Sequence, residues 1–166
     1  MSRIVSHSHP PFLDLPVEGV IEHPQVPQRP VEELRPLLEA VLHYPTIVEF
    51  GWQQYTPYDP GEFGIDYIWV RTAEEPPEAT PRDLWLLGGG CNSLGSNWGP
   101  NPDLPGCYMQ LPDYEGPDRD RHDRVMALHK ALEDGTFNDV LREAFGDHAA
   151  VTMRREGIHV EPCDHH

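Results

Sequence analysis

The sequence predicts an α+β fold: a single compact domain with a mainly antiparallel sheet, three helices and long Pro-rich loops. The chain has 166 residues, the length of one ordinary domain. Its 19 prolines favour loops and limit long helices. The elements predicted below run as a helix, several strands, two helices and a hairpin, which is not the regular strand–helix alternation of a parallel sheet. We therefore divide the chain into an extended Pro/His-rich N-terminal arm, residues 1–30, and one α+β domain, residues 31–166.

The first helix is predicted just after the arm. Its apolar residues recur at helical spacing, at Leu34, Leu37, Leu38, Val41 and Leu42. Pro36 lies inside this pattern, where it would remove a backbone hydrogen bond. Two alternatives follow: a turn precedes a helix that begins at Pro36, or one helix is kinked there. Within the arm, Val17 to Ile21 is expected to form a short edge strand.

Strands are predicted in the central part of the chain. Residues 46–55 and 65–72 are rich in β-branched and aromatic residues, and a segment of Pro, Asp and Gly separates them. This pattern predicts a hairpin with a long loop. Shorter strands are predicted at 82–87, as a central strand of the sheet, and at 107–114.

Two helices and a second hairpin are predicted in the last third of the chain. Asp118 is expected to cap the N-terminus of a helix that Gly135 ends. Thr136 and Asp139 resemble a capping box for the next helix. Residues 149–163 alternate on both sides of an Arg-Arg-Glu-Gly turn, which predicts a hairpin.

The charge of the chain disfavours some partners and favours others. Twelve basic residues against 28 acidic ones leave a net charge of −16. The sequence has no cluster of Lys and Arg, so direct binding to a nucleic-acid backbone or to an anionic membrane surface is disfavoured. A basic protein partner is favoured, because opposite charge steers association. The alternative is that the acidic surface only keeps the protein soluble.

The apolar runs and the cysteines bear on location. The sequence has no apolar run of membrane-spanning length, and the N-terminus lacks the apolar stretch of a signal peptide. Cys91, Cys107 and Cys163 are odd in number and widely spaced, which is not a disulfide framework. We therefore expect reduced thiols and a cytoplasmic protein.

The first candidate site is the aromatic and acidic hairpin at 50–69. Aromatic residues beside turns are good anchors for a protein interface, and nearby carboxylates would attract a basic partner. The residues expected to bind are Trp52, Tyr55, Tyr58, Asp59, Glu62 and Phe63. The alternative is a hairpin that simply buries one aromatic face.

The second candidate site is the Gly-rich stretch from Gly88 to Cys107. It carries amide, hydroxyl and indole groups suited to a small ligand, at Asn92, Ser93, Asn97 and Trp98. Cys91 would become a nucleophile if His122 or His129 lowered its pKa, so these three residues are the catalytic candidates. The alternative is an ordered loop between two strands that Trp98 pins to the core.

The third candidate site is a metal site formed by the two ends of the chain. His7, His9, Cys163 and His165 have side chains that bind zinc and similar divalent metals. They would converge only if the termini meet, as domain termini often do. The alternative is that both ends are solvated.

Three functions remain open on this reading. The first is a non-catalytic binding protein that docks a basic protein partner, of the inhibitor or immunity type or a virus-encoded accessory protein. The second is a small enzyme or ligand-binding protein that uses the Gly88–Cys107 loop, with or without a His/Cys-bound metal. The third is a structural subunit of a larger assembly.

Overall fold

A computed structural model describes residues 2–4, 11–19, 22–24, 26–57, 62–86 and 94–163. Within these ranges it contains three helices and eight strands, and the predicted α+β class is confirmed. The elements in chain order are β1 (Ser2–Ile4), β2 (Glu22–Pro24), α1 (Val31–Leu42), β3 (Ile47–Tyr55), β4 (Gly64–Thr72), β5 (Ser96–Pro100), β6 (Tyr108–Glu115), α2 (Arg119–Glu133), α3 (Asn138–Phe145), β7 (Ala149–Arg154) and β8 (Gly157–Pro162).

The main sheet has four antiparallel strands in the order β4-β3-β7-β8. Both predicted hairpins, β3–β4 and β7–β8, are confirmed. Two ribbons stand apart from the main sheet, β1–β2 and β5–β6. The strand expected at Val17 to Ile21 is wrong for residues 17–19, which are irregular, and residues 20 and 21 lie outside the described ranges.

The core lies between one face of the main sheet and the helices. Side chains alternate across a strand, and on β3 the buried set is Phe50, Trp52 and Gln54. Helix α1 packs against α2 and β3, and α2 packs against β4. Burying each large apolar side chain stabilises the fold by roughly 1.5–3 kcal/mol. The helix-covered face of the sheet therefore forms the core, and the opposite face stays accessible to solvent.

Helix α1 settles the two alternatives at Pro36. It is one helix from Val31 to Leu42 with Pro36 inside it, so a helix that begins at Pro36 is wrong. Leu34 lies in the first turn and is 1% exposed, whereas Pro36 is exposed. The burial of Leu34 therefore stabilises a helical turn that local propensity alone disfavours.

The boundaries of α2 follow the prediction, as does the end of α3 at Gly146, whereas the predicted start of α3 does not. The Asp118 carboxylate accepts a hydrogen bond from the backbone N–H of Arg121 at 3.1 Å, and Gly135 follows the helix with a φ of +82°. The capping box at Thr136 is wrong, because the Thr136 hydroxyl donates to Asp134 at 2.7 Å and α3 begins without a side-chain cap. An Asx-type turn at Asp134 has taken the group that would have capped the helix.

The segment from 80 to 107 differs most from expectation. The predicted strand at 82–87 is wrong for residues 82–86: residues 81–84 form turns, and among the described residues of this segment only Trp85 pairs with the sheet, in an isolated bridge to Trp69. Residue 87 lies outside the described ranges. The reason is local, since Thr80 and Asp83 bond to each other through backbone and side chain at 2.8 to 3.4 Å. The stretch read as a loop contains β5, which pairs with β6. The strand predicted at 107–114 is confirmed as β6.

The end of the N-terminal arm is tied to the region around α3. The backbone N–H of Arg29 donates to the carbonyl of Thr136 at 2.8 Å. The Gln28 amide donates to the carbonyl of Gly135 and accepts from the N–H of Asp139, both at 2.9 Å. Residues 28 and 29 therefore pack as part of the domain.

None of the helices in the described ranges is long and apolar enough to cross a membrane.

Candidate functional site

The face of the main sheet that points away from the helices carries an open groove of about 850 Å³. We call it the sheet-face groove, and its lining comes from β3, β4, β7, β8 and residues 81–85. On β3 the partly exposed Glu49 and Gln53 line the groove and alternate with the buried Phe50 and Trp52, of which Trp52 also borders the groove. Strand periodicity thus supplies the polar side chains of the groove from the face opposite the core.

The register of the sheet places one row of residues across the groove floor. Trp69 lies opposite Gly51, Gly51 opposite Thr152, and Thr152 opposite His159. A Cβ atom at position 51 would lie 2.8 Å from Trp69 Nε1 and 2.2 Å from the Val151 carbonyl oxygen. Glycine is therefore required for the indole to lie against the sheet. Trp69 is only 6% exposed as a result.

Two further rings form an aromatic wall along β4. The ring centroids of Tyr67 and Trp85 are 4.6 Å apart, a distance typical of a favourable aromatic pair. Tyr67 has a φ of 52° and lies at a register shift between β3 and β4, so a bulge sets its direction. The bridge from Trp85 to Trp69 also covers the outer edge of β4. The indole N–H of Trp85 is buried and has no hydrogen-bond partner among the described residues.

An ionic cluster closes one end of the groove. The Glu49 carboxylate accepts from Arg71 Nε at 3.1 Å and from Arg154 Nε at 2.8 Å. Arg71 also donates to the carbonyls of Pro76 and Ala79, which ties the connector after β4 to this cluster. The hydrogen bond to Glu49 raises the pKa of the Arg154 guanidinium. Glu49 is therefore a bridged, charge-compensated carboxylate.

The far side of the groove is formed by β8. His159 Nε2 lies 2.8 Å from Glu161 Oε1, and both side chains are exposed. Across the whole lining, three arginines (71, 82 and 154) face two glutamates (49 and 161), a formal balance of +1 with histidine neutral. The chain as a whole carries −16. The groove is thus a locally cationic site in an acidic protein.

The predicted aromatic and acidic hairpin does not form one exposed surface. Trp52 is 1% exposed and donates its indole N–H to Gln54, so it is not an exposed anchor, although it is among the residues that line the sheet-face groove. It belongs to the helix-facing set of β3. Tyr55 bonds to Asp66 at 3.2 Å, and burial together with that carboxylate raises the pKa of Tyr55. Phe63 lies under the Arg142 guanidinium at 5.4 Å.

The other members of that predicted surface are placed as follows. Glu62 is exposed at the end of the hairpin loop, before β4 begins. Tyr58 and Asp59 lie outside the described residues. The described members are thus a core residue, two half-buried residues with polar partners and one exposed carboxylate.

The predicted catalytic residues are not brought together by anything described. His122 is buried with its ring 4.7 Å from that of Tyr114, and its Nδ1 lies 3.4 Å from Asp123. His129 Nδ1 lies 3.2 Å from Glu133. Cys91 lies outside the described residues, so its pairing with either histidine stays a prediction.

The Gly-rich stretch is organised by a residue that the sequence reading missed. Asn92 and Ser93 lie outside the described residues, and the backbone of Asn97 and Trp98 belongs to β5. The Tyr114 hydroxyl donates to the carbonyls of Leu94 and Asp118. Cβ atoms at Gly95 or Gly116 would lie within 2.3 Å of that hydroxyl oxygen. The sequence shows only that Gly116 lies two residues after Tyr114, whereas the contact with Gly95 joins residues that are distant along the chain.

The predicted metal site falls mostly outside the described residues, which exclude His7, His9 and His165. Cys163 is half-buried at the end of β8 and donates its backbone N–H to the carbonyl of His148 at 2.9 Å. Within the described ranges, no group of three or more His, Cys, Asp or Glu residues is arranged to hold a metal ion.

The sheet-face groove itself was not found from the sequence, although part of its signal was present. A glycine within a strand marks a close approach, and Gly51 stands between Glu49 and Gln53 on one face of β3. Comparisons with known protein families, with curated proteins and with solved structures find no match to the chain. Function is therefore inferred from the geometry of the groove.

Proposed function

We propose that the protein is a non-catalytic binding protein that takes a small polar ligand with a flat ring into the sheet-face groove. The observation that carries this proposal is the groove of about 850 Å³, with aromatic rings on one side and hydrogen-bonding groups on the other. Binding sites for small molecules occupy about 300–1,000 Å³ and combine aromatic surface with a few placed polar groups.

The aromatic wall would hold the flat face of the ligand. Tyr67 is 36% exposed beside Trp85, so ring surface is open to solvent along the groove. Burying it under a ring removes apolar surface from water. Within the part of the chain that the structure describes, the buried N–H of Trp85 has no acceptor. A ligand oxygen brought to this N–H would recover part of the roughly 1–3 kcal/mol that an unsatisfied donor costs.

The polar lining would select the ligand's substituents. The Gln53 amide offers two donors and an acceptor, and the Thr152 hydroxyl offers one of each kind. Arg82 adds an exposed cation at the rim. With a formal balance of +1 the lining favours a neutral or anionic ligand over a cationic one.

The chemistry of the lining supports binding over catalysis. No cysteine, serine or lysine of the described residues lines the groove. Its most enclosed carboxylate, Glu49, is bridged by Arg71 and Arg154 at 3.1 and 2.8 Å. Both oxygens of this carboxylate are engaged by guanidiniums, so neither is available to react with a bound ligand.

The test is ligand-observed saturation-transfer NMR with a panel of oligosaccharides, nucleosides and aromatic carboxylic acids. We expect ring protons of at least one class to be saturated. Thr152→Trp should abolish the signal, because the indole would fill the groove floor. Val48→Trp adds the same ring at an exposed position of β3 that does not line the groove, and should leave the signal unchanged. Binding that survives Thr152→Trp, or a panel without binders, would contradict the proposal.

A second candidate is the docking of a basic protein partner by the acidic exterior, as an inhibitor, immunity or virus-encoded accessory protein would do. The observation that favours it is the charge of −16 together with exposed carboxylates on connecting segments, such as Glu62, Glu78 and Asp103. Capture of a basic partner should weaken steeply from low to high salt. Capture that is indifferent to salt would count against this candidate.

A cytoplasmic location is proposed from the cysteines. Among the described residues, Cys107 is an exposed free cysteine. Exposed thiols persist in a reducing compartment. Thiol labelling of the protein in intact cells followed by fractionation would test this.

A further inference from the structure

The two edge strands of the main sheet, β4 and β8, differ in how their outer backbone groups are covered. The outer edge of β4 is covered through the bridge between Trp69 and Trp85. At the other edge, no strand or bridge in the described part of the chain pairs with the outer side of β8. All six residues of β8 are exposed. Natural sheets usually cover or disrupt such an edge, because its free backbone groups invite another strand.

The backbone of β8 presents its free groups at alternate residues. The N–H of Cys163 donates to the carbonyl of His148, so position 163 bonds towards β7. Antiparallel bonding alternates along a strand, so Glu161 and His159 also bond towards β7. Ile158, Val160 and Pro162 therefore direct their backbone groups outward. Pro162 lacks an N–H, and at an outward position it costs the pairing with β7 nothing.

The two faces of β8 have different chemistry. Ile158 is 51% exposed and Val160 41% exposed, both on the face shared with the core residues of β7. His159 and Glu161 lie on the groove face. The edge thus offers apolar side chains on one side and a basic and an acidic side chain on the other.

We propose that β8 pairs antiparallel with β8 of a second copy of the chain, about a two-fold axis at Val160, to form an eight-stranded sheet. In this register Val160 faces the partner's Val160. His159 faces the partner's Glu161, and Ile158 faces the partner's Pro162. The backbone N–H and carbonyl groups of Val160 and the N–H of Ile158 all gain partners across the axis.

Side-chain chemistry selects this register and a second copy as the occupant. A two-fold at His159 would place imidazole opposite imidazole, and one at Glu161 would place carboxylate opposite carboxylate. Only the register centred on Val160 places His159 and Glu161 opposite each other, and it does so twice. An imidazole N–H donates to a carboxylate across a strand pair, whereas two carboxylates opposite each other repel. A strand that complements itself in both backbone and side-chain hydrogen bonding fits a symmetric dimer.

The dimer would also enlarge the sheet-face groove. His159 and Glu161 line its outer side, so the partner's His159 and Glu161 would continue the same polar surface. The pairing does not rest on the proposed ligand, since it uses only the edge of β8. A monomeric protein that still binds ring compounds would overturn this inference and leave the proposed function intact.

Sedimentation equilibrium tests the pairing directly. We expect the wild-type protein at about 100 µM to show twice the 18.9 kDa chain mass. Val160→Pro removes the outward N–H without removing a bond to β7, and should give the monomer mass. Val160→Thr keeps the N–H and a β-branched side chain, and should stay dimeric. Circular dichroism and melting curves verify that each variant folds.

A charge exchange keeps the test decisive if Val160→Pro does not fold. His159→Glu places carboxylates opposite each other, and Glu161→Lys places cationic or basic groups opposite each other. Each variant alone should dimerise at least about tenfold more weakly. Mixed in equal amounts, they should regain association as a heterodimer, because each carboxylate of the first variant then faces a lysine or an imidazole of the second. A monomeric wild-type protein, or a mixture that associates no better than its components, would overturn the proposal.

Discussion

The indole of Trp69 lies against Gly51 so closely that no side chain fits between them. A Cβ atom at position 51 would lie 2.8 Å from Trp69 Nε1 and 2.2 Å from the carbonyl oxygen of Val151. This contact lets a large ring lie along the sheet instead of across it. It keeps the floor of the sheet-face groove low and open.

Gly51→Ala is therefore expected to destabilise the protein. Overpacking of this kind costs about 1–3 kcal/mol, because the indole and the neighbouring strand must both move. Gly64→Ala is the matched control, since a Cβ there meets nothing within 4 Å. Urea unfolding of both variants measures the difference. Equal stabilities would show that Trp69 can move away freely.

Gln54 is expected to be essential for stability. It is fully buried, accepts from Trp52 Nε1 at 3.0 Å and donates to the carbonyls of Leu141 and Gly146 at 2.9 and 2.7 Å. Gln54→Met keeps the volume and leaves these three groups unsatisfied, at a cost of about 1–3 kcal/mol or more.

The control for Gln54→Met is Gln53→Met on the adjacent groove face, which should change stability by less than about 0.5 kcal/mol. Both variants are compared by thermal and chemical unfolding. A similar effect at the two positions would refute the special role of Gln54.

Gly95 is expected to be required both for its left-handed backbone conformation and for the space that the Tyr114 hydroxyl occupies beside it. Gly95 and Gly106 have nearly the same φ, +81° and +85°. A Cβ atom at Gly95 would lie 2.3 Å from the Tyr114 hydroxyl oxygen, whereas one at Gly106 meets nothing within 4 Å. Alanine at either site pays the cost of a left-handed residue.

Gly95→Ala should therefore cost about 1–3 kcal/mol more than Gly106→Ala, which isolates the steric contribution. Unfolding free energies of the two variants provide the measurement. A difference near zero would mean that the Tyr114 ring yields.

The ion pair between Glu74 and Arg121 is expected to make stability depend on acid pH. Arg121 Nη1 donates to both Glu74 oxygens at 3.0 Å, and this lowers the pKa of Glu74 below its ordinary value of 4.5. At a pH between the folded-state pKa and about 4.5, Glu74 is ionised in the folded protein, whereas the unfolded chain binds a proton there. The contribution is therefore complete above about pH 4.5 and is lost as pH falls through the folded-state pKa.

Glu74→Gln should cost about 1 kcal/mol at pH 7, because Arg121 is buried whereas Glu74 is half exposed. The difference from wild type should shrink as the pH falls from 5 to 3. Glu78→Gln, at an exposed position of the same connector, should show neither effect. A gap between wild type and Glu74→Gln that stays constant with pH would rule out this linkage.

The sequence predicted local structure well where contacts between near neighbours in the chain determine it and nothing competes with them. Asp118 caps α2 as expected, because the acceptor and the N–H that it satisfies are three residues apart. At residues 82–87 the apolar residues predicted a strand, but bonds between Thr80 and Asp83 formed turns instead. The strand and the turn are both favoured by residues close together in the chain, so propensity alone could not predict which of the two forms.

Part of the sheet-face groove can likewise be predicted from the sequence and part cannot. The alternation that separates Glu49 and Gln53 from Phe50 and Trp52 is visible in the sequence. The pairing of Trp69 with Gly51 is not, because it depends on a register shift at Tyr67. A shift of one residue would have turned a different set of side chains to the open face.

The sequence by itself determined the α+β class, the main helices and both hairpins of the main sheet, because periodicity and turn chemistry act between near neighbours. Only the tertiary structure decided that Arg71 and Arg154 share Glu49, and that four tryptophan and tyrosine residues from three segments line one groove. Strand order and register bring such groups together, and both arise from burying one whole face of the sheet against the helices. The candidate functional face is the one that this burial left open to solvent.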